Sequence, residues 1–196
     1  MYKKYVKRFL DIITSLMALI FLSPIYLIIG ITIKVVDRGC VFYVQERTGE
    51  NGKNFKIYKF KTMWNGRETK LGKVLRKTSL DELPQFYNVL KGDMSIVGPR
   101  PWIISYYENF DSYQKRRVEV KPGIVGLAQV NGRRKISVFE KIDYDVEYVD
   151  NLNFVLDIKI LLKSLKVIIA KEECENSKDY ITREIAMLKN QKEKVS

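Results

Sequence analysis

The feature that most constrains this chain is an uncharged run of 22 residues, Ile12 to Ile33, relieved only by Thr14, Ser15, Ser23, Pro24, Gly30 and Thr32. As one straight helix it would rise roughly 33 Å, enough to cross a hydrocarbon core of about 30 Å. Pro24 stands in its middle. The missing N–H and the ring of Pro24 weaken the helix there, while Ser23 offers a hydroxyl to the freed backbone, so a sharp bend is expected at Ser23–Pro24. Lys3, Lys4, Lys7 and Arg8 precede the run; Lys34, Arg38, Lys53, Lys56, Lys59 and Lys61 follow it. A spanning helix should carry asymmetric flanks, so this symmetry favours a re-entrant hairpin with Tyr2 and Arg38 on one side. A single span is the simpler alternative. A cleaved leader is disfavoured, because the run is too long and no small-x-small cleavage site follows it.

The whole chain has 196 residues, which suits one domain plus attachments. With 46% hydrophobic and 30% charged residues it can build a folded core. Lys and Arg total 35 against 23 acids, a net charge of +12, which calls for an anionic partner: nucleic acid, a lipid surface or a phosphorylated small molecule. There is no histidine, which removes imidazole bases, Ser-His triads and His-ligated zinc. Cys40 and Cys174 lie far apart without Cys-x-x-Cys spacing, so neither a zinc site nor a disulfide framework is supported, and a reducing compartment is expected. Residues 34–80 hold 12 basic and 4 acidic side chains, whereas residues 81–150 hold 10 and 11, so the positive field lies beside the apolar run.

Val41 to Glu46 and Phe55 to Met63 read as strands joined through Asn51-Gly52, a hairpin signal. Lys56, Lys59 and Lys61 on that hairpin form either a cationic wall or a solvated, lysine-protected edge. Leu71, Val74 and Leu75 mark a short amphipathic helix. Ser79 and Glu82 have capping-box spacing, and Pro84 keeps Asp81 and Glu82 at or near the first turn of a helix that runs to Leu90 and stops at Gly92. Plain capping is the ordinary role for such acids. Pro99 and Pro101 stiffen the loop around Arg100, which suits bidentate phosphate recognition, although exposed arginines in Pro-rich turns are also common. Lys121-Pro122-Gly123 and Gly126 to Arg133 read as a second loop dense in glycine and side-chain donors. Ser137 and Glu140 open another helix with Val138, Ile142, Val146 and Val149 on its core stripe. A further helix, Phe154 to Ala170, is apolar nearly all round; it suits either internal packing or a bilayer surface, and the nearby apolar run favours the second. Residues after Lys171 turn charged and are expected to fray.

Six of these segments occur together and in order: the Ser-Pro-broken apolar helix behind a basic N-terminus, Tyr58-Lys59-Phe60-Lys61-Thr62-Met63, Ser79-Leu80-Asp81-Glu82-Leu83-Pro84-Gln85, Val97-Gly98-Pro99-Arg100-Pro101, Lys121-Pro122-Gly123-Ile124 and Gln129-Val130-Asn131-Gly132-Arg133. In this the chain resembles the bacterial sugar transferases, the monotopic phosphoglycosyl transferases, from residue 2 to about residue 170. Val125 stands where that family often has threonine. The resemblance implies transfer of a phosphosugar from a nucleoside diphosphate sugar, usually a uridine one, to polyprenyl phosphate at the cytoplasmic face of the bacterial inner membrane, with release of the nucleoside monophosphate. It makes Asp81 the nucleophile of an aspartyl-phosphosugar intermediate, with Glu82 beside it and Mg2+ bound at Asp81. Arg76 and Arg100 become the leading phosphate-binding cations, followed by Lys59, Gln129 and Arg133. Asp157 lies in a family-like stretch, with an N-terminal helix acid as its equal alternative. Phosphoryl transfer rests on positioning and charge neutralisation, which fits a histidine-free cationic chain.

The expected fold is α+β and mainly helical: a re-entrant membrane helix-break-helix hairpin (1–36), a small cytoplasmic catalytic domain with a β-hairpin and amphipathic interfacial helices (37–171), and a charged C-terminal tail (172–196). The expected partners are a nucleotide diphosphate sugar, polyprenyl phosphate and membrane lipids. The oligomeric state, a homodimer included, is left open by the sequence. A membrane-tethered nucleic-acid-binding protein or a non-catalytic scaffold is the rival reading. It fits less well, because no nucleic-acid motif accompanies the basic excess.

Overall fold

The computed structural model describes residues 2–36, 39–132, 136–169 and 178–195. Tyr2–Val6 is wound as a π-helix and leads into α1 (Lys7–Phe21); α2 (Ser23–Val36) departs from α1 at 59° across Leu22. The bend falls where the Ser23–Pro24 break placed it. Pro24 occupies the first turn of α2, where a missing N–H has no partner to lose. Ser23 Oγ donates to the Ile20 carbonyl at 2.7 Å. No single helix among the described residues is long and apolar enough to cross a membrane, whereas the bent pair together meets that test by length and composition.

The hairpin is amphipathic in the reverse sense of a water-soluble helix. Lys7, Asp11 and Ser15, one per turn of α1, are buried, while Phe9, Met17, Ile20 and Phe21 are exposed. Lys7 Nζ lies 2.6 Å from Asp157 Oδ2. Asp11 Oδ1 accepts from Ser95 Oγ and the Ile96 N–H, and Arg8 donates to the Val89 and Leu90 carbonyls. On α2, Ile29 and Ile33 join Phe60 and Leu75 in a buried cluster, and Leu27, Ile28, Ile31 and Val35 face outward.

Two antiparallel strands, β1 (Phe42–Thr48) and β2 (Asn54–Phe60), pair from Phe42 opposite Phe60 to Thr48 opposite Asn54. Asn51 and Gly52 take φ of 55° and 76° in the turn, as the hairpin signal required. The second strand ends three residues before the expected Met63. Met63–Trp64 (β3) instead folds back onto Arg67–Glu68 (β4), because Asn65 and Gly66 both adopt positive φ. Next comes α3 (Lys70–Lys77), capped by Thr69 accepting from the Gly72 N–H. A single 3-10 turn, Leu80–Glu82, precedes α4 (Gln85–Lys91), which stops at Gly92 with φ 101°. The expected Ser79–Glu82 capping box does not form. Ser79 is left-handed (φ 58°), whereas a capping serine needs extended backbone to reach the N–H groups ahead of it.

β5 (Ser95–Val97) pairs in parallel with β6 (Gly123–Val125), with α5 (Ile104–Glu108) and α6 (Ser112–Lys115) between them in sequence. The segment read as a loop over Gly126 to Arg133 holds a short helix, α7 (Leu127–Asn131). Leu127 and Ala128 bury their side chains, and that burial selects helix over loop. α8 (Val138–Asp150) begins at a complete Ser137–Glu140 capping box and buries Val138, Ile142 and Val146 as its spacing predicted. α9 (Phe154–Ile169) exposes Phe154, Val155, Ile158, Leu162 and Leu165 and buries Asp157, Ile160 and Ser164. Beyond it, Lys178–Val195 is helical (α10), contrary to the fraying expected for this charged stretch. Its sparse apolar positions supply the reason: Leu188 is fully buried among Tyr106, Phe110, Val138 and Ile142, with Ile185 against them.

Candidate active site

A cavity of about 1170 Å³ opens between the β1–β2 hairpin, the α3–α4 connection, the loop at Arg100–Ile103, α7, α8 and α10. Lys59, Arg76, Asp81, Glu82, Arg100 and Gln129 all line it, so six residues spread over 71 positions of sequence meet in one place. Arg133 lies outside the described residues.

The left-handed Ser79 and the 3-10 turn after it set two adjacent carboxylates in contrasting surroundings. Glu82 Oε1 accepts from Lys59 Nζ and from Arg100 Nη2, each at 2.6 Å, and Arg100 Nη1 stands 3.3 Å from Oε2. Burial by itself would raise the Glu82 pKa; Arg100 and then Lys59 overcome it and hold the carboxyl well below the usual carboxylate range. Glu82 is thus a fixed anion, not a proton acceptor. Among the described residues none hydrogen-bonds or ion-pairs with the Asp81 carboxylate, although only 8% of the residue is exposed. Burial, followed by the Glu82 charge, pushes the Asp81 pKa up, and Lys59, Arg100 and Arg76 oppose that rise. The first acid neutralises cations, and the second is left open to the cavity.

Arg76 is placed by close packing. Gly72, at the start of α3, lies so near the Thr62 carbonyl that a Cβ there would sit 2.0 Å from the oxygen. One turn later Arg76 Nε donates to Thr62 Oγ1 at 2.8 Å, with Glu68 at 3.3 Å. Lys59 has its pKa lowered by burial, with Glu82 opposing. The hairpin lysines divide: Lys59 and Lys61 line the cavity, and Lys56 stands exposed on the other face of the strand.

Gln129 offers the site an acceptor as well as a donor. Its Nε2 donates to the Ile124 carbonyl at 3.3 Å, and its buried Oε1 has no partner among the described residues, so the cavity wall includes an acceptor. Asp157 is not at this site. It accepts from Tyr2, Lys7 and Tyr148 and ties the N-terminal segment to α8 and α9.

Sequence reasoning passed over several cavity residues. Arg47, on β1, is pulled down to about 10 by burial and by Arg100, and its buried Nε lacks a partner. Thr62 lay inside a quoted motif but carried no charge to draw notice. Behind Arg100, Arg117 and Asp145 form a fully buried ion pair at 2.6 Å, and Arg117 also packs over the Trp102 ring at 4.2 Å. On the α10 side, Glu184 accepts from Tyr106 Oη and from Lys141 Nζ. None of these pairings has a local sequence signal.

Of the adjacent pair, Asp81 is the acid that offers a divalent cation an unengaged carboxylate, because the oxygens of Glu82 are taken by Lys59 and Arg100. Among the described residues no three His, Cys, Asp or Glu side chains gather into a metal cage. One carboxylate completed by phosphate oxygens and water is the usual mode for Mg2+, so the donor set fits that ion.

Comparison with known proteins identifies the family. The bacterial sugar transferase family model matches residues 2–171. The uncharacterized sugar transferase EpsL of Bacillus subtilis is 41% identical over 91% of this chain and 94% of its own length. The galactosyl transferase CpsE of Streptococcus agalactiae serotype III is 41% identical over 83% of this chain, and the UDP-glucose:undecaprenyl-phosphate glucose-1-phosphate transferase of Klebsiella pneumoniae is 44% identical over 79%. The chain spans 42% and 38% of those two longer proteins. With one open and one neutralised carboxylate inside a ring of cations, and with a family match over residues 2–171, the chain belongs to the bacterial sugar transferases.

Proposed function

We propose that this enzyme transfers a phosphosugar from a uridine diphosphate sugar to a polyprenyl phosphate through a covalent intermediate on Asp81. One observation carries the reading: Asp81 is a cavity-facing carboxylate without a partner among the described residues, beside a Glu82 whose charge is consumed by Lys59 and Arg100. An Asp81 oxygen attacks the phosphorus that bears the sugar, and the bond from that phosphorus to the nucleoside monophosphate breaks. A phosphate oxygen of the lipid then attacks the same phosphorus, the acyl phosphate bond breaks, and Asp81 is regenerated as the carboxylate. Arg76 and Arg100 hold phosphate oxygens through both steps, and Lys59 and Glu82 keep Arg100 in place. The lipid phosphate is already an anion, so no strong base is required. Asp81 would hold Mg2+ together with substrate phosphates, and the ion would neutralise diphosphate charge. The Klebsiella pneumoniae and Escherichia coli relatives, named for UDP-glucose and undecaprenyl phosphate, support the choice of substrates.

We place the hairpin in the cytoplasmic leaflet of the bacterial inner membrane, with residues 37–171 as the catalytic domain on the cytoplasmic face. The outward apolar faces of α1, α2 and α9 support this, since that much exposed apolar surface is costly in water. Tyr2 Oη donates to Asp157 and Tyr26 Oη to the Leu83 carbonyl, so both arms of the hairpin return to one domain.

The test is exchange of labelled uridine monophosphate into the nucleotide sugar, with Mg2+ present and polyprenyl phosphate absent. Wild type should exchange and Asp81→Asn should not, while remaining folded. Exchange that strictly requires the lipid would overturn the covalent route and leave Asp81 as a metal ligand in direct transfer.

A further inference from the structure

Among the described residues, nothing donates to two acceptor atoms in the cavity wall. Asp145, on α8, is 1% exposed; its Oδ2 takes both Arg117 Nε and Nη2, and its Oδ1 is buried without a partner. Gln129, on α7, spends its Nε2 on the Ile124 carbonyl and leaves Oε1 equally unpaired. The two helices pack together, and both side chains line the cavity that holds Asp81. Buried polar atoms are nearly always hydrogen-bonded, so two orphans of the same kind in one wall mark a place that a donor fills. A phosphate is excluded as that donor, since its oxygens are acceptors and would be repelled by the Asp145 carboxylate.

We propose that Asp145 Oδ1 and Gln129 Oε1 form a subsite that accepts hydrogen bonds from the hydroxyl groups of a ring of the nucleotide sugar. The cavity is then chemically divided. Lys59, Lys61, Arg76 and Arg100 meet the diphosphate, and the α7–α8 wall meets the uncharged, hydroxyl-bearing part. Arg117 serves both halves: it fixes the carboxylate of Asp145 through one oxygen, so that the other is aimed at the ligand, and it also holds the Arg100 carbonyl at 2.7 Å. This inference rests on the proposed donor class, and not on the covalent step.

Two rings of such a donor carry hydroxyls, the transferred sugar and the ribose, and binding measurements separate them. Calorimetry on the detergent-solubilised full chain compares UDP with whichever of UDP-glucose, UDP-galactose and UDP-N-acetylglucosamine binds wild type most tightly. Gln129→Met removes one acceptor, and Asp145→Asn can keep its oxygen toward Arg117 only by turning an N–H donor into the cavity. Each is expected to weaken the UDP-sugar at least tenfold. An unchanged affinity for UDP assigns the subsite to the transferred sugar, and an equal loss for UDP assigns it to the ribose. Gln129→Met keeps the test decisive if Asp145→Asn fails to fold. Unchanged affinities in folded variants overturn the subsite alone, whereas a wild type that binds none of the nucleotides overturns the donor class and the subsite together.

Discussion

Arg117 holds the backbone of Arg100: its Nη2 donates to the Arg100 carbonyl at 2.7 Å while its guanidinium is paired with Asp145 in the protein interior. The loop that presents Arg100 to Glu82 is therefore anchored from behind by a charge with almost no solvent access. Arg117→Met should leave Asp145 buried and unpaired, at a cost of about 3–5 kcal/mol. The measurement is thermal unfolding in detergent; a melting temperature like that of wild type would show the pair to be dispensable.

Because burial and the Glu82 charge raise the Asp81 pKa, the proposed nucleophile is protonated at higher pH than an ordinary aspartate. The rate should fall as pH drops through that raised value, so the acid limb of kcat/KM stands above the ordinary aspartate value of 3.8. Lys59→Met removes a cation that opposes the rise, and should move the limb to still higher pH. A limb at or below 3.8 in wild type at limiting Mg2+ would contradict the assignment of Asp81.

Glu82→Gln takes the counter-charge from Lys59 and Arg100. The freed cations should turn toward Asp81, lower its pKa and draw the acid limb downward, while the displaced Arg100 costs at least about a hundredfold in kcat. Stability should respond too. A carboxyl held below its ordinary 4.5 contributes fully above that pH and loses its contribution as pH falls toward the depressed value. Wild type should therefore lose stability below about pH 4.5 more steeply than Glu82→Gln, as measured by melting temperature against pH.

Tyr2→Cys should be labelled only after the membrane is opened, because Lys7, five residues on, stays paired with Asp157 of the domain we place on the cytoplasmic face. Replacing Ser23 with leucine and Pro24 with alanine should straighten α1 and α2 into one span and expose position 2 from outside the cell. Labelling of the unaltered hairpin from outside would restore the single span.

What the sequence determined by itself is what depends on near neighbours. Pro24 bends the apolar run, Asn51-Gly52 turns the hairpin, Ser137 and Glu140 cap α8, and Gly92 ends α4, each through sterics or hydrogen bonds within a few residues. The ordered motifs, read as a family resemblance, singled out Asp81 and Arg100 for the same region. Tertiary structure alone decided what each group faces. Glu82 has the spacing of a cap and spends its charge on Lys59 and Arg100, 23 and 18 residues away. Gln129 looks like a donor, yet the Ile124 carbonyl takes one of its N–H groups and the acceptor is left in the cavity wall. Lys7 and Asp11 look like the polar edge of a membrane helix but are buried against Asp157 and Ser95, more than 80 residues on. α10 holds together because Leu188 finds a core made by α5 and α8. A carboxylate, a cation or a leucine carries no mark of its distant partner; burial assigns one, because an unpaired charge or an exposed apolar side chain costs more than the ordering that covers it.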